Sequence, residues 1–398
     1  MSDTRKNKKP NVPNLRFPGF SGEWENCTLG QLGDIKGGGT PDTLTSKYWN
    51  GGIQWFTPSE IGKTKYVYKS ERTISNEGLI NSSAKLLPPK SILLSSRATV
   101  GECSINLEEC CTNQGFQSFV PNTLVESEFL YYRLLTHKKE LIRKACGSTF
   151  LEISAKQIGS ISSSIPEKRE QEKILSFLSL IDERIAIQNK VIERYESLIK
   201  ALNQRHFRRV QADETLKFVK LSDVLQERRE YRENDGTFPH ASLSKEGVDV
   251  KTDRYDRDFL VRDEDKKYKV TRFNDICYNP ANLKFGVITR NKIGTLIFSP
   301  IYVTFSISEN CNPEYIEYYL TEPDFIRKML RFEQGTVYER MAVSPEDFLS
   351  ECIRIPDRQS QVKHARLISE IKGYLGSEMH LLKNWLIVKH HILSELFI

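Results

Sequence analysis

The chain carries one unit twice, and this limits its fold more than any other feature of its 398 residues. Gly147-Ser148-Thr149 is followed by Ser164-Ile165-Pro166-Glu167-Lys168-Arg169-Glu170-Gln171-Glu172-Lys173-Ile174. Gly335-Thr336 is followed by Arg354-Ile355-Pro356-Asp357-Arg358-Gln359-Ser360-Gln361-Val362-Lys363. The two glycines lie 188 positions apart and the two prolines 190. A long amphipathic helix pattern runs on from each proline. A tandem pair of domain-plus-helix units implies pseudo-two-fold symmetry and suits a target in two parts.

The helix after Pro166 is the strongest in the chain. Proline just ahead of a Glu-rich first turn is a sound helix start. Ile174, Leu178, Ile181, Ile185, Gln188, Ile192, Tyr195, Ile199 and Leu202 then step four and three residues apart in alternation, a sustained heptad seam. Gln188 is its one polar member and a candidate for setting register. No Gly or Pro interrupts residues 167–207, and roughly 40 helical residues would span about 60 Å. The helix after Pro356 has a less regular seam of Ile368, Ile371, Leu375, Met379, Leu382, Leu386, Leu393 and Leu396, and Gly373 and Gly376 weaken it. The two helices could each pack on their own domain or mediate a homodimer. The reading favoured here pairs them with each other, antiparallel.

The globular parts repeat as well. Lys220-Leu221-Ser222-Asp223-Val224-Leu225 echoes Thr28-Leu29-Gly30-Gln31-Leu32-Gly33. Asp275-Ile276-Cys277-Tyr278 echoes Ser91-Ile92-Leu93-Leu94. Glu314-Tyr315-Ile316-Glu317-Tyr318-Tyr319 echoes Glu128-Phe129-Leu130-Tyr131-Tyr132. Short β-rich segments alternate with turns up to about Pro121, with the clearest strands at 91–95 and 116–120, and a helix follows over 128–144. The expected fold is therefore mixed α/β. Its segments are a disordered basic tail (1–11), a first domain (12–166), a first long helix (167–210), a second domain (211–356) and a second long helix (357–398). The copies differ most in their centres, roughly 40–90 and 227–272. Two readers of two different things would look so, and so would an old duplication that has drifted.

Composition excludes several classes. Hydrophobic content of 38% and charge of 28% are ordinary for a globular chain, and no run of 18 apolar residues offers a membrane span. The N-terminus is polar and basic with no apolar stretch behind it, unlike a signal peptide. Residues 1–19 hold five Lys/Arg and one Asp, so much of the net +6 could lie there. The eight cysteines form no C-x-x-C and no finger spacing, which reads as reduced thiols in the cytosol and no metal site.

Catalytic motifs fail on inspection. Ile61-Gly62-Lys63-Thr64 ends like a phosphate loop, but Thr57 stands where that loop needs its first Gly. Asn279-Pro280-Ala281 lacks the second proline and the aromatic of an amino-methyltransferase box, and a lone Asn-Pro is usually a turn. The seven histidines are scattered. What remains is basic and aromatic. Lys63, Lys65, Tyr66, Tyr68 and Lys69 interleave the two types in the first unit; Arg228, Arg229, Tyr231 and Arg232 do so in the second, balanced by Glu227, Glu230 and Glu233. Tyr278, Asn279, Arg290 and Lys292 lie in loop-like sequence nearby. Arg, Lys and Asn read base edges, and Lys and Arg hold phosphates. Each cluster alone is more often a solvated face than a contact, and placement in or beside the divergent centres is what favours contact.

Taken in order, these segments resemble one family. Val12-Pro13-Asn14-Leu15-Arg16-Phe17-Pro18 through Trp24 and Leu29-Gly30 is similar to the start of the specificity (S) subunits of type I restriction–modification systems. So is Ile92-Leu93-Leu94-Ser95-Ser96-Arg97-Ala98 with Asn113-Gln114-Gly115-Phe116. In the second unit Tyr278-Asn279-Pro280-Ala281-Asn282-Leu283 through Gly286, and Ser299-Pro300-Ile301-Tyr302-Val303, fit as well. The Ile-Pro-x-x-x-x-Gln-x-Lys junctions resemble the family's domain-to-helix junction, with Gln359-Ser360-Gln361 a departure from Arg169-Glu170-Gln171.

The resemblance implies two tandem target recognition domains, each reading half of a split DNA sequence. It makes the helices an antiparallel coiled coil that sets the gap, and it adds Ser96 and Arg97 to the candidate DNA contacts. It implies a non-catalytic chain without its own cofactor, working in the cytoplasm. Two modification subunits that bind S-adenosylmethionine would dock on it, and restriction subunits using ATP and Mg would complete the complex. A protein-binding coiled-coil scaffold and a self-sufficient DNA methyltransferase are the alternatives.

Overall fold

A computed structural model of the chain describes residues 11–146, 151–234, 236–251, 267–334 and 341–398. The glycine echo at Gly147 and Gly335, and residues 1–10 of the expected tail, lie outside that set. The fold divides into two compact units, Met1–Gln188 with Leu381–Ile398, and Asn189–His380.

The first unit opens with β1 (Glu25–Thr28), β2 (Gly33–Gly37), β3 (Trp49–Phe56), β4 (Tyr66–Val67), β5 (Arg72–Ile74) and the short helix α1 (Asn76–Ile80). Then come β6 (Ile92–Leu94), β7 (Cys103–Asn106), β8 (Cys110–Thr112), β9 (Gln117–Pro121), α2 (Ser127–Thr136), α3 (Lys138–Lys144), α4 (Ala155–Gly159) and β10 (Ser162–Ile165). One sheet runs β2-β9-β6-β7-β4 and a second β5-β3-β8. β6 is buried along its whole length, which its unbroken Ile-Leu-Leu requires. The helix expected at 128–144 is present as α2 and α3, divided at His137. Gly38 and Gly39 allow a close approach of chain segments. A Cβ on Gly38 would sit 2.0 Å from the Asn113 carbonyl oxygen, and one on Gly39 2.3 Å from Ser83 Oγ. β1 and β10 pair antiparallel, Glu25 opposite Ile165, so the domain's first and last strands close together just before α5 (Lys168–Ala212) begins.

The second unit repeats this frame. After α5 come β11 (Phe218–Lys220), α6 (Leu221–Val224), β12 (Leu225–Glu227), β13 (Tyr231–Arg232), β14 (Ala241–Leu243), β15 (Val248–Val250), β16 (Tyr268–Thr271) and β17 (Ile276–Tyr278). β18 (Ile288–Arg290), β19 (Leu296–Phe298), β20 (Val303–Ile307), α7 (Pro313–Leu320), α8 (Pro323–Met329), α9 (Pro345–Ser350), β21 (Cys352–Arg354) and α10 (Arg358–Leu396) complete it. β11–β21 is the counterpart of β1–β10, and the order β12-β20-β17-β18 matches β2-β9-β6-β7. The centres differ in topology. The first has the mixed β5-β3-β8 sheet, in which β3 and β8 run parallel; the second has the antiparallel β13-β16-β19 sheet and the β14–β15 ribbon.

Both long helices are continuous, with 45 residues in α5 and 39 in α10. Gly373 and Gly376 do not break α10. In the first unit Asp182 pairs with Lys389 at 2.6 Å, while Arg184, further along α5, stacks on Trp385, earlier in α10. The pairing there is antiparallel. Ile174, Leu178 and Ile181 pack in one core with Leu393, Leu396, Phe397 and the first domain's Trp24 and Phe129. In the second unit Asn203 and His364 hydrogen-bond at 2.9 Å, and Ile199 and Leu202 pack beside Ile368. Each helix thus packs both on a domain and on the other helix, where the sequence had set these as alternatives.

The α10 seam needs correction. Met379 and Leu386 are exposed. A continuous line of positions withdrawn from solvent runs through His364, Ile368, Ile371, Leu375, Glu378, Leu382, Trp385, Lys389, Ile392 and Leu396, with Ala365 and Leu393 buried beside it. Its positions step four and three residues apart without a break, so the second helix is as regular as the first. Polar residues at three of these positions hide the period from a hydrophobic count.

Candidate nucleic-acid interface

The sequence candidates separate by what already engages them. Tyr278, at 0% exposure, packs against Phe305 and Phe348, whose rings also stack on each other, and donates from its hydroxyl to the Val343 carbonyl at 3.1 Å. Asn279 caps the turn Pro280–Phe285, its side chain accepting from Ala281 N at 3.1 Å. Ser96 is fully buried. Arg290, also buried, is held by Glu317 at 3.1 Å, Glu314 at 3.2 Å and Asn274 at 2.6 Å. All four candidates are thus buried within their domains, where a contact with DNA is not open to them in this conformation.

Others are partly engaged. Lys65 turns inward, its ammonium 3.1 Å from the Tyr132 hydroxyl and 3.8 Å from Asp182, and burial holds its pKa below the usual lysine range. Tyr66 reaches Glu128 at 3.3 Å, and burial pushes its phenol up to about 12. Arg97 pairs with Glu152 at 2.8 Å, Arg228 with Asp275 at 2.7 Å, Arg229 with Glu227 at 2.7 Å and Lys292 with Glu317 at 2.6 Å. Lys63 and Lys69 are exposed. So are Tyr231 and Arg232, the latter's guanidinium 5.1 Å over the Phe238 ring. Exposed base–aromatic groups therefore remain in the divergent centre of each domain.

Two features escaped the sequence reading. One is a polar cluster in the first unit around Asp182 of α5, which accepts from the Tyr132 hydroxyl and pairs with Lys389. Through Lys65, just before β4, it ties the segment 61–69 to the helix pair. The other is the part played by the junction glutamines. Gln171 is fully buried; its amide donates to the carbonyls of Leu124 and Pro166, each at 3.0 Å, and its oxygen accepts from Glu126 N at 3.0 Å. Gln361 repeats this with Pro356 O and Asn312 N, each at 2.9 Å. The spacing from Pro to Gln lets the first turn of each long helix fold back on its proline and grip the residue that starts the domain helix. Glu170 beside Gln171 is bound bidentate by Arg16 at 2.8 and 2.9 Å. In the second copy Ser360 takes that place and is capped by Asp357, which accounts for the departure in sequence.

Among the described residues no group of three His, Cys, Asp or Glu could hold a metal ion, and no helix is long and apolar enough to cross a membrane.

Comparison with known proteins agrees with this frame. The family model of the type I restriction modification DNA specificity domain matches residues 21–197. The type I restriction enzyme MjaIX specificity subunit of Methanocaldococcus jannaschii is 34% identical over 179 residues, 43% of this chain and 41% of that protein. The EcoR124I/EcoR124II specificity subunit of Escherichia coli is 28% identical over 196 residues, 45% of this chain and 48% of that protein. The matched stretches span less than half the length of these curated relatives. Among solved structures, a type I restriction-modification system S subunit from M. genitalium aligns with a TM-score of 0.53 at 15% identity, over 97% of this chain and 99% of that one. A chain from a structure concerned with assembly and conformational transition of the type I R-M system aligns at 0.59 and 14% identity, over 96% and 98%. These two share the fold. Residues 21–197 thus match the type I restriction modification DNA specificity domain, and over this stretch the chain is similar to specificity subunits of type I restriction enzymes.

Proposed function

We propose that the chain is the sequence-specific DNA-recognition subunit of a type I restriction–modification complex. Each globular domain reads one half of a bipartite duplex target. The two long helices set the gap and dock two modification subunits. One observation carries this reading: an identical scaffold, β2-β9-β6-β7 and β12-β20-β17-β18, holds centres of different topology. Drift from a common ancestor alters side chains more readily than strand connections. Two centres rebuilt on a retained frame fit two different half-targets.

Helix length suits the task. At 1.5 Å per residue the 45 residues of α5 run about 68 Å, more than one turn of duplex at about 34–36 Å. The chemistry would lie with partners: S-adenosylmethionine in the modification subunits, ATP and Mg in restriction subunits. This chain would supply binding and register, acting in the cytoplasm where its DNA lies.

Methylome sequencing of a methylation-free host expressing the chain with its modification partner tests the proposal. The expected result is one bipartite motif with a fixed gap. Binding of the complex to target duplex should fall steeply with salt, as phosphate contacts require. A protein-only scaffold would give neither result. Labelled methyl transfer by the isolated chain would instead establish a self-sufficient methyltransferase.

A further inference from the structure

The divergent centre of the first domain holds an arginine that nothing above accounts for. Arg72 lies on the edge strand β5, opposite Trp55 of β3. Its guanidinium sits 3.7 Å from the Trp49 ring centroid and 5.7 Å from that of Trp55. The two indoles meet edge to face at 5.1 Å and 90°. Their N–H groups are fixed by the backbone of the glycine-rich loop, Trp49 Nε1 donating to Asp42 O at 3.0 Å and Trp55 Nε1 to Gly39 O at 2.9 Å. Both tryptophans are buried, while Arg72 is exposed. Arg16, Arg97, Arg228 and Arg290 all have carboxylate partners. Among the described residues Arg72 has none.

Holding a long side chain in one geometry costs rotamer entropy, and a stack on an aromatic face meets that cost before any ligand arrives. The planar fork is left oriented, charged and open. Its five N–H donors match a partner that offers two adjacent acceptors. On duplex DNA the base edge of that kind is guanine O6 and N7 in the major groove, the commonest specific contact of arginine. A phosphate also accepts a fork, but a phosphate contact carries no sequence information and would belong on the shared scaffold. Arg72 stands on β5, which has no counterpart in the repeated frame.

We propose that Arg72, held on the Trp49–Trp55 pair, is a base-reading residue for the first half of the target, with the O6/N7 edge of a guanine as its ligand. The proposal rests on the DNA-recognition function proposed above.

The test compares the full chain, Arg72→Ala and Arg72→Lys, each expressed with the modification partner in a methylation-free host. Methylome sequencing is read beside competition binding on single-substituted duplexes. Both variants should keep the second half-sequence and the gap. Preference at one G·C pair of the first half should relax, with discrimination there falling about ten- to a hundredfold. Retained reading of the second half shows that a variant is folded; if Arg72→Ala yields no methylation, Arg72→Lys decides. An unchanged motif in Arg72→Lys overturns the proposal, since charge without the fork would then suffice. So does a uniform loss of affinity across all sequences with a salt slope lower by about 1, the mark of a phosphate contact. If the wild-type complex produces no bipartite motif, the DNA-recognition reading fails first and takes this proposal with it.

Discussion

Gln171 shows how much one residue can hold. Its side chain makes three hydrogen bonds from a fully buried position, and two of the groups it satisfies, Leu124 O and Glu126 N, lie on the segment leading into α2. Leaving buried backbone groups unpaired costs about 1–3 kcal/mol each. Gln171→Leu should therefore lower the melting temperature by several degrees, while Lys173→Gln, exposed two positions on, should leave it nearly unchanged. Thermal denaturation of the complex checks both. The stacked pair His206 and His364, ring centroids 3.8 Å apart, adds a pH dependence. Burial, with His206 beside it, pulls His364 down to about 4, and burial also lowers His206. A histidine whose folded pKa is depressed stabilises fully above its unfolded value of about 6.5. That contribution is lost as pH falls from about 6.5 toward 4. The melting temperature should fall across this window, and His364→Gln, a neutral replacement facing Asn203, should flatten the fall. A slope unaltered by the substitution would exclude this pair as its source. The same residues show what sequence makes legible. The Ile-Pro-to-Gln spacing marked the junction, but two of the three partners of Gln171 lie 45 and 47 positions upstream, and no local pattern names them. Tyr278 and Asn279 look like contact residues in sequence because polarity alone does not disclose burial.

At the scale of elements, the α5 heptad was readable because its seam is apolar at every position but Gln188. The α10 seam was misread because His364, Glu378 and Lys389 occupy seam positions, where a count of hydrophobic residues skips to exposed Met379 and Leu386. The polar members have partners in the fold, Lys389 on Asp182 and His364 on Asn203. Their energetic role is thus pairing specificity more than burial. This bears on gap control. Both helices run unbroken through the points where the compact units divide, after Gln188 and after His380. Four residues inserted after Gln188, with four more after His380, would lengthen each helix by about 6 Å, close to two base-pair steps of about 3.4 Å. Methylome sequencing of the double insertion should show a longer gap between two unchanged half-sequences. Altered half-sequences with the old gap would rule out a spacer role for the helices.

At the scale of the whole molecule, tandem repetition was legible from the echoes at Leu29 and Leu221, Ile92 and Ile276, and Phe129 and Tyr315. These residues form the shared frame, and each is buried. Strand order in the centres was not legible, because β3 pairs both with adjacent β5 and, in parallel, with β8 more than 50 residues on. Such long-range pairing leaves no periodic trace. The division into frame and centre makes a prediction about exchange. Residues 36–125 of the first domain span its centre and the strands that cradle it, whereas the β1–β10 closure and the Gln171 grip lie largely outside. Replacing 36–125 with the corresponding stretch of a relative with a different target should keep the junction, α5 and the second unit intact. The complex should still assemble and methylate. Its first half-sequence should become the relative's, with the gap and second half retained. Two separate cores argue for this independence: Trp24, Phe129 and Ile174 lie in one, and Tyr278, Phe305 and Ile368 in the other. If both half-sequences changed together, reading would have to be a joint property of the two domains, and the one-domain, one-half account of the duplication would fall.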